Sequence, residues 1–177
     1  MPNHVLNVLK FNKLHPDDVN YILNRIATTY DDAFGDNKLI IEFDKIIPEP
    51  KKKEDCPEDC LVTEDSHVSL IEDRPWFDWY KWHMRYWGTK WNAYDGYVKT
   101  GKTWIKFVFS TAWTAPEPIY QQLATLGFNF DIKYADEDWG SNCGKLSYHK
   151  DTDSWDIYNE NDLPDAYKFA QRLWDME

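Results

Sequence analysis

Apolar positions change period several times along the chain, and each change marks an element. Val5-Leu6-Asn7-Val8-Leu9-Lys10-Phe11 is rich in strand formers and partly alternates around Leu9 and Phe11, which predicts a strand. After Pro16 the period lengthens: Val19, Ile22, Leu23 and Ile26 fall at i, i+3, i+4 and i+7, one apolar face of a helix that starts near Asp17 and Asp18, where acids suit the positive end of the dipole. Gly35-Asp36-Asn37 predicts a turn, and Lys38 to Ile47 a second strand stopped by Pro48 and Pro50.

From Lys51 to Ser66 apolar residues nearly vanish, and the pattern predicts a mobile surface loop. Arg74 to Trp91 is the opposite. Trp76, Phe77, Trp79, Tyr80, Trp82, Tyr86, Trp87 and Trp91 cover more than one face of any helix drawn through them, so the predicted helix must be mostly buried. Asn92 to Thr100 reads as a turn region, and Thr103 to Phe109 carries the strongest strand signal in the chain. Thr114-Ala115-Pro116-Glu117 has capping-box spacing ahead of Ile119, Leu123 and Leu126, and Gly127 supplies the stop. Phe128, Phe130, Ile132 and Tyr134 alternate as a further strand. Lys145 to His149 and Trp155 to Tyr158 form a hairpin around Asp151-Thr152-Asp153-Ser154, and Asp162-Leu163-Pro164-Asp165 opens a last helix with Ala166, Phe169, Ala170 and Leu173 on one face.

This order is β-α-β, a loop with an aromatic helix, β-α-β, a hairpin and a helix. Two β-α-β units sharing one antiparallel sheet predict an α+β, ferredoxin-like fold with an inserted aromatic-rich helix, a C-terminal hairpin and a final helix. The four predicted sheet strands are Val5 to Phe11, Lys38 to Ile47, Thr103 to Phe109 and Phe128 to Tyr134. A length of 177 residues with 42% apolar and 17% aromatic residues fits a single packed domain, residues 1–177, and excludes disorder.

Charge changes the picture of partners. The formal net charge is -11, and residues 136–177 hold 11 acids against 4 bases, whereas residues 74–106 hold seven bases against Asp78 and Asp95. The overall sign opposes a whole-surface attraction to nucleic acid or an anionic membrane and favours a basic partner. No secretory signal or membrane-length apolar run is present, and three cysteines fit reduced thiols, which predicts a cytoplasmic protein.

Candidate chemistry is sparse. Cys56 and Cys60 form a Cys-x3-Cys pair with no second ligand pair at zinc spacing, so free thiols of Cys56, Cys60 and Cys143 are expected, with no metal. Asp136-Glu137-Asp138 and Asp151-x-Asp153 lack the EF-hand spacing, since Trp155 and Ile157 stand where a ligand and a glycine are needed. The histidines His4, His15, His67, His83 and His149 form no short-spaced pair, and neither a Gly-x-Ser-x-Gly nor a phosphate loop occurs. The expectation is a protein without catalysis and without a cofactor.

Several blocks resemble the YubB-type ferredoxin-like proteins of phages and plasmids: Met1-Pro2-Asn3 with Asn7 and Leu9, Phe43-x-Lys45-Ile46-Ile47-Pro48-x-Pro50, Trp87-Gly88-Thr89-Lys90-Trp91-Asn92-Ala93-Tyr94-Asp95, and Phe109-x-Thr111-Ala112-Trp113 leading to Pro116, Pro118 and Ile119. The resemblance covers most of the chain, and its most specific block is Trp87 to Asp95. Two departures are His4, where such proteins commonly place an aromatic residue, and the Lys51 to Ser66 loop. The resemblance implies a ferredoxin-like fold and a phage or plasmid accessory protein, and no reaction. Within the Trp87 to Asp95 block, Trp87 and Trp91 are expected to be a core pair rather than a ligand site.

Two functions compete at this level, with a small hydrolase as a weaker third. The first is an accessory protein that binds a basic host protein, such as nucleic-acid-directed or defence machinery, through an acidic face built from Asp136, Glu137, Asp138, Asp151, Asp153 and Asp156. The second is a single-stranded nucleic-acid binder using the aromatic and basic segment 74–106, although Lys102 to Phe109 resembles the RNA-recognition signature only loosely.

Overall fold

A computed structural model of the chain describes residues 3–31, 35 and 37–176. The element order is β1 (His4–Phe11), α1 (Pro16–Ile26), β2 (Ala27–Asp31), β3 (Asn37–Ile41), α2 (Phe43–Ile46), α3 (Trp79–Tyr86), β4 (Tyr94–Gly101), β5 (Trp104–Ala112), α4 (Glu117–Ala124), β6 (Phe130–Asp136), β7 (Cys143–His149), β8 (Ser154–Asn159) and α5 (Ala166–Met176). Six strands form one antiparallel sheet in the order β4-β5-β1-β6-β7-β8, and β2 and β3 form a separate hairpin. Within the large sheet, β1, β4, β5 and β6 with the helices α1 and α4 make the ferredoxin-like unit. The inserted aromatic helix is α3, the C-terminal hairpin is β7-β8 and the final helix is α5, as the periodicities predict.

Why β1 sits at the centre follows from its burial. Val5, Leu9 and Phe11 point to one face, where they meet Phe107 and Phe109 of β5, Phe130 and Ile132 of β6, Val19, Ile22 and Ile26 of α1, and Ile119, Tyr120 and Leu123 of α4. Leu6 and Val8 point to the other face and meet Val108, Ala135, Cys143 and the Ala170 and Leu173 stripe of α5. A strand covered on both faces is apolar almost throughout, which explains its imperfect alternation. The one buried polar side chain on its inner face, Asn7, is fully bonded: its amide donates to Val5 O and Thr111 Oγ1, and Tyr120 Oη donates to Asn7 Oδ1 at 2.6 Å.

Four expectations are corrected. Lys38 to Ile47 is not a strand of the main sheet: Asn37–Ile41 pairs only with β2, and the chain then turns through α2, whose amides are caught by polar side chains. Glu42 Oε1 accepts from Asp44 N, and Asn92 Oδ1 accepts from Phe43 N at 3.0 Å. The vacated place in the sheet belongs to β4, in the region expected to be a turn. Its signal is masked by Asp95 at φ 46° and a register shift between Tyr94 and Tyr97. The aromatic helix is shorter than Arg74 to Trp91, because Asp78 caps it through Lys81 N and Trp87 closes it. Finally, Thr114 does not cap α4: Pro116 occupies the cap without a side-chain bond, and the Thr114 hydroxyl donates to Gly88 O instead.

The segment expected to be a solvated loop, 51–66, carries two single 3-10 turns, Lys53–Asp55 and Glu58–Cys60. Cys56 and Cys60 are buried in the main core and Leu61 bridges to Phe77, so the pair anchors this segment. Asp36 of the expected turn, and Met1 and Pro2 of the first resemblance block, lie outside the described residues.

Candidate functional site

Strand alternation places one residue in two on the α5 side of the sheet, and register decides which strands align there. Lys99 of β4 stands opposite Lys106 of β5, and Lys106 opposite Lys10 of β1. One row along, Lys133 of β6, opposite Val8 of β1, also faces Lys145 of β7. A diagonal stripe of five lysines therefore crosses five adjacent strands, about 19 Å at the usual 4.7–4.9 Å strand spacing. Lysines facing one another across strands repel, and Asp131 of β6, directly opposite Lys10, relieves part of that repulsion.

Aromatic rings border the same face. Lys10 Nζ lies 5.8 Å from the Trp104 ring, Lys99 Nζ 4.9 Å from Tyr97 and Lys145 Nζ 5.1 Å from Tyr158. The helix α5 covers only the Leu6, Val8 and Val108 half, and between it and the lysines lies a groove of about 930 Å³, to which α5 adds Lys168 and Arg172. Two acids enter it. Asp131 is held by Ser147 Oγ at 2.7 Å and Asn12 Nδ2 at 3.1 Å, and Asp165 pairs with Lys168 at 3.1 Å while accepting Lys168 N.

The six acids expected to share one face are not brought together. Asp136 is internal, 4% exposed, and serves as an acceptor hub: Asn3 Nδ2, Asp138 N and Asn142 Nδ2 all donate to it. Glu137 accepts His4 N and Asp138 accepts Asn3 Nδ2, so this trio fastens the start of β1 to the end of β6. Asp151 and Asp153 lie in the β7-β8 turn at the opposite end of the strands, where Tyr148 Oη donates to Asp153 Oδ1, and Asp156 of β8 pairs with His149 of β7. Seven residues of antiparallel strand separate the two groups by about 20 Å.

The Trp87 to Asp95 block is partly core and partly surface. Trp87 is 3% exposed, donates from Nε1 to Ile47 O and stacks on His83 with centroids 4.0 Å apart. Gly88, at φ +76°, lies where a Cβ would stand 2.6 Å from Pro118 Cδ, so both conformation and close approach select glycine. Thr89 is buried against Ala112, its hydroxyl donating to the carbonyl and accepting the amide. Asn92 ties Glu42 and Phe43 to the block. Trp91 corrects the expectation of a core pair: it is 38% exposed, and Lys90 Nζ lies over its ring at 4.7 Å. Asp95 is exposed at the start of β4.

Cations of the first half of segment 74–106 are consumed structurally. Arg74 pairs with Glu49, Lys81 with Asp78 and Arg85 with Asp59, while Phe77, Trp82 and Trp87 are core. From its later part Lys106 lines the sheet groove, and Lys99 and Trp104 lie on the same face beside it. The signal missed in the sequence was the alignment of Lys10 with Lys106 and of Lys133 with Lys145 on one face of the sheet, since the two pairs draw on distant parts of the chain.

Cys56, Cys60 and Cys143 are buried free thiols, and burial pushes each thiol up from its ordinary value. Among the described residues no three His, Cys, Asp or Glu side chains converge as metal ligands, and no helix is long and apolar enough to cross a membrane.

No curated protein and no solved structure matches the chain. Residues 86–177, just over half of it, match the family described as the ferredoxin-like domain in Api92-like protein, and this stretch contains β4, β5, α4, β6, β7, β8 and α5. With four of the five striped strands inside the matched residues and the sheet arranged as that description requires, the chain belongs to the family of the ferredoxin-like domain in Api92-like protein.

Proposed function

We propose that the protein binds single-stranded nucleic acid on the α5 side of its sheet, without catalysis. The observation that carries this reading is the diagonal stripe of Lys99, Lys106, Lys10, Lys133 and Lys145 beside Tyr97, Trp104 and Tyr158. Cations track phosphates and ring faces accept bases of any identity, the combination by which sheets hold unpaired strands. A net charge of -11 does not forbid this, because at physiological salt charges more than about 8 Å away are largely screened.

The YubB-type resemblance fits the same reading: an accessory protein of a phage or plasmid, working in the host cytoplasm on single-stranded intermediates or on the defence machinery that recognises them. The rival reading, an acidic face for a basic host protein, has less geometric support, since its six acids split between two ends of the sheet and Asp136 is internal.

Fluorescence anisotropy with labelled 15-nucleotide single strands, and with a duplex of the same length, tests the proposal. Binding of the single strand should weaken with salt at a log-log slope near -3.5, about 0.7 for each of five phosphate contacts. Lys133→Glu with Lys145→Glu should reduce that slope and lower affinity at least tenfold. Unaltered binding by this variant, or a preference for the duplex, rejects the sheet face. Failure of the single strand to bind at low salt, with capture of a basic host protein lost on Glu137→Lys and Asp138→Lys, returns the acidic reading.

A further inference from the structure

Away from the lysine stripe, past the C-terminal end of β5, a cleft of about 490 Å³ opens between residues 65–69, the first turn of α3 and Trp113. Its walls are ring faces fixed in place. Trp79 Nε1 donates to Ser69 O at 3.0 Å, and Tyr80 and Trp113 meet edge to face with centroids 6.2 Å apart.

Two cations enter this cleft, and they differ. Lys81 is paired with Asp78 at 3.2 Å, and that carboxylate also accepts the Ser66 hydroxyl at 2.7 Å and Lys81 N. Lys90 is half-buried, 5.1 Å from the Trp113 ring centroid and 4.7 Å from that of Trp91, and among the described residues no carboxylate lies within ion-pair distance of it. A half-buried lysine held between two indole rings, with no carboxylate beside it, offers its charge to an anion that stacks on the same rings.

Trp113 adds an independent sign. It holds φ 70°, a conformation costly for a bulky side chain, and it is kept there by its amide donating to Asn3 O at 2.9 Å and its carbonyl accepting Asn142 Nδ2 at 2.8 Å. Its indole is 36% exposed and lines the cleft.

We infer that this cleft is a second binding site, for a small planar aromatic ring bearing a carboxylate or phosphate, with the ring against Trp113 and Tyr80 and the anionic group at Lys90. The volume suits one such molecule, held between the rings with Lys90 to fix its orientation; of the two carboxylates that line the cleft, Asp78 is paired with Lys81, and Asp65 stands with Ser66 to Ser69 on the wall formed by the loop. The site is separate from the sheet groove and does not depend on that groove binding nucleic acid.

Calorimetric titration of the full chain with adenosine monophosphate, benzoate, adenosine and inorganic phosphate tests it, with indole resonances followed by NMR. Adenosine monophosphate, benzoate or both should bind at least tenfold tighter than adenosine or inorganic phosphate; both binding shows a site for either anion, and the nucleotide alone shows a phosphate site. Lys90→Met, which keeps the aliphatic stem, should weaken the anionic ring at least tenfold and leave adenosine unchanged, and Lys90→Arg should restore part of the loss. Lys133→Glu with Lys145→Glu should leave it intact. The inference is overturned if neither ring anion binds at millimolar concentration, if Lys90→Met titrates like the unaltered protein, or if the sheet variant abolishes binding.

Discussion

Trp87 and Trp91 share a residue type and a helical spacing, yet the structure gives them different work. Trp87 fills the centre of an aromatic cluster with Phe43, Trp82 and His83, whereas Trp91 lies outside it against Tyr94 and Lys90. Removing the first leaves a large cavity and strands the Ile47 carbonyl. Trp87→Ala should therefore cost about 3–5 kcal/mol in urea unfolding, the range for a buried large aromatic. Trp91→Ala should stay within about 0.5 kcal/mol, as exposed substitutions do. Equal losses would place both indoles in the core. The sequence shows that the block is rich in indoles; it does not show where α3 stops, and that stop rotates Trp91 away from the face that Trp87 occupies.

At the scale of elements, the consequential exchange is between β3 and β4. Lys38 to Ile41 has the stronger strand composition, but the place beside β5 goes to Tyr94–Gly101. Gly96 makes this possible: a Cβ there would lie 2.5 Å from Val108 O and 3.0 Å from Phe109 Cβ, and its carbonyl accepts Tyr30 Oη at 2.9 Å from the β2-β3 hairpin. The backbone is close because no side chain intervenes. Gly96→Ala should cost about 1–3 kcal/mol, the usual price of overpacking, and hydrogen exchange should quicken in β4 before β1 or β6. Uniform protection in the variant would show that the approach is not tight. Because sequence reading treats glycine as punctuation, a glycine inside a strand hides the strand that needs it.

Across the whole molecule, Glu49 joins three segments that are far apart in sequence. It pairs with Arg74 at 2.7 Å and with His83 Nε2 at 2.5 Å, while His83 Nδ1 faces Lys90 O at 2.8 Å. Burial pushes the Glu49 carboxyl up, but the hydrogen bonds and charges of His83 and Arg74 outweigh it, and the group titrates below its ordinary value of 4.5. A carboxyl depressed in the folded state adds stability above its unfolded value, and that stability is lost as pH falls through the folded value. Asp78 is depressed in the same direction: burial raises it, and the bonds from Ser66 and Lys81 lower it by more. Urea midpoints should thus fall as pH drops below about 4.5. Glu49→Gln should be less stable at pH 7, since it leaves Arg74 and His83 without their anion, and should show a shallower acid slope. An unchanged slope would remove Glu49 from the acid response.

By itself the sequence determined the class: the apolar runs of β1 and β5, the alternation of β6, the amphipathic faces of α1, α4 and α5, and the β7-β8 hairpin are local patterns, legible because burial on both sides or on one imposes a run or a period on the residues themselves. It also determined the net charge and the absence of familiar catalytic spacings. What only the tertiary structure decided is register and company. Lys10, Lys99, Lys106, Lys133 and Lys145 become one stripe, and six acids become two separate groups, because antiparallel pairing aligns residues up to 131 positions apart by hydrogen-bond register, to which no local period corresponds.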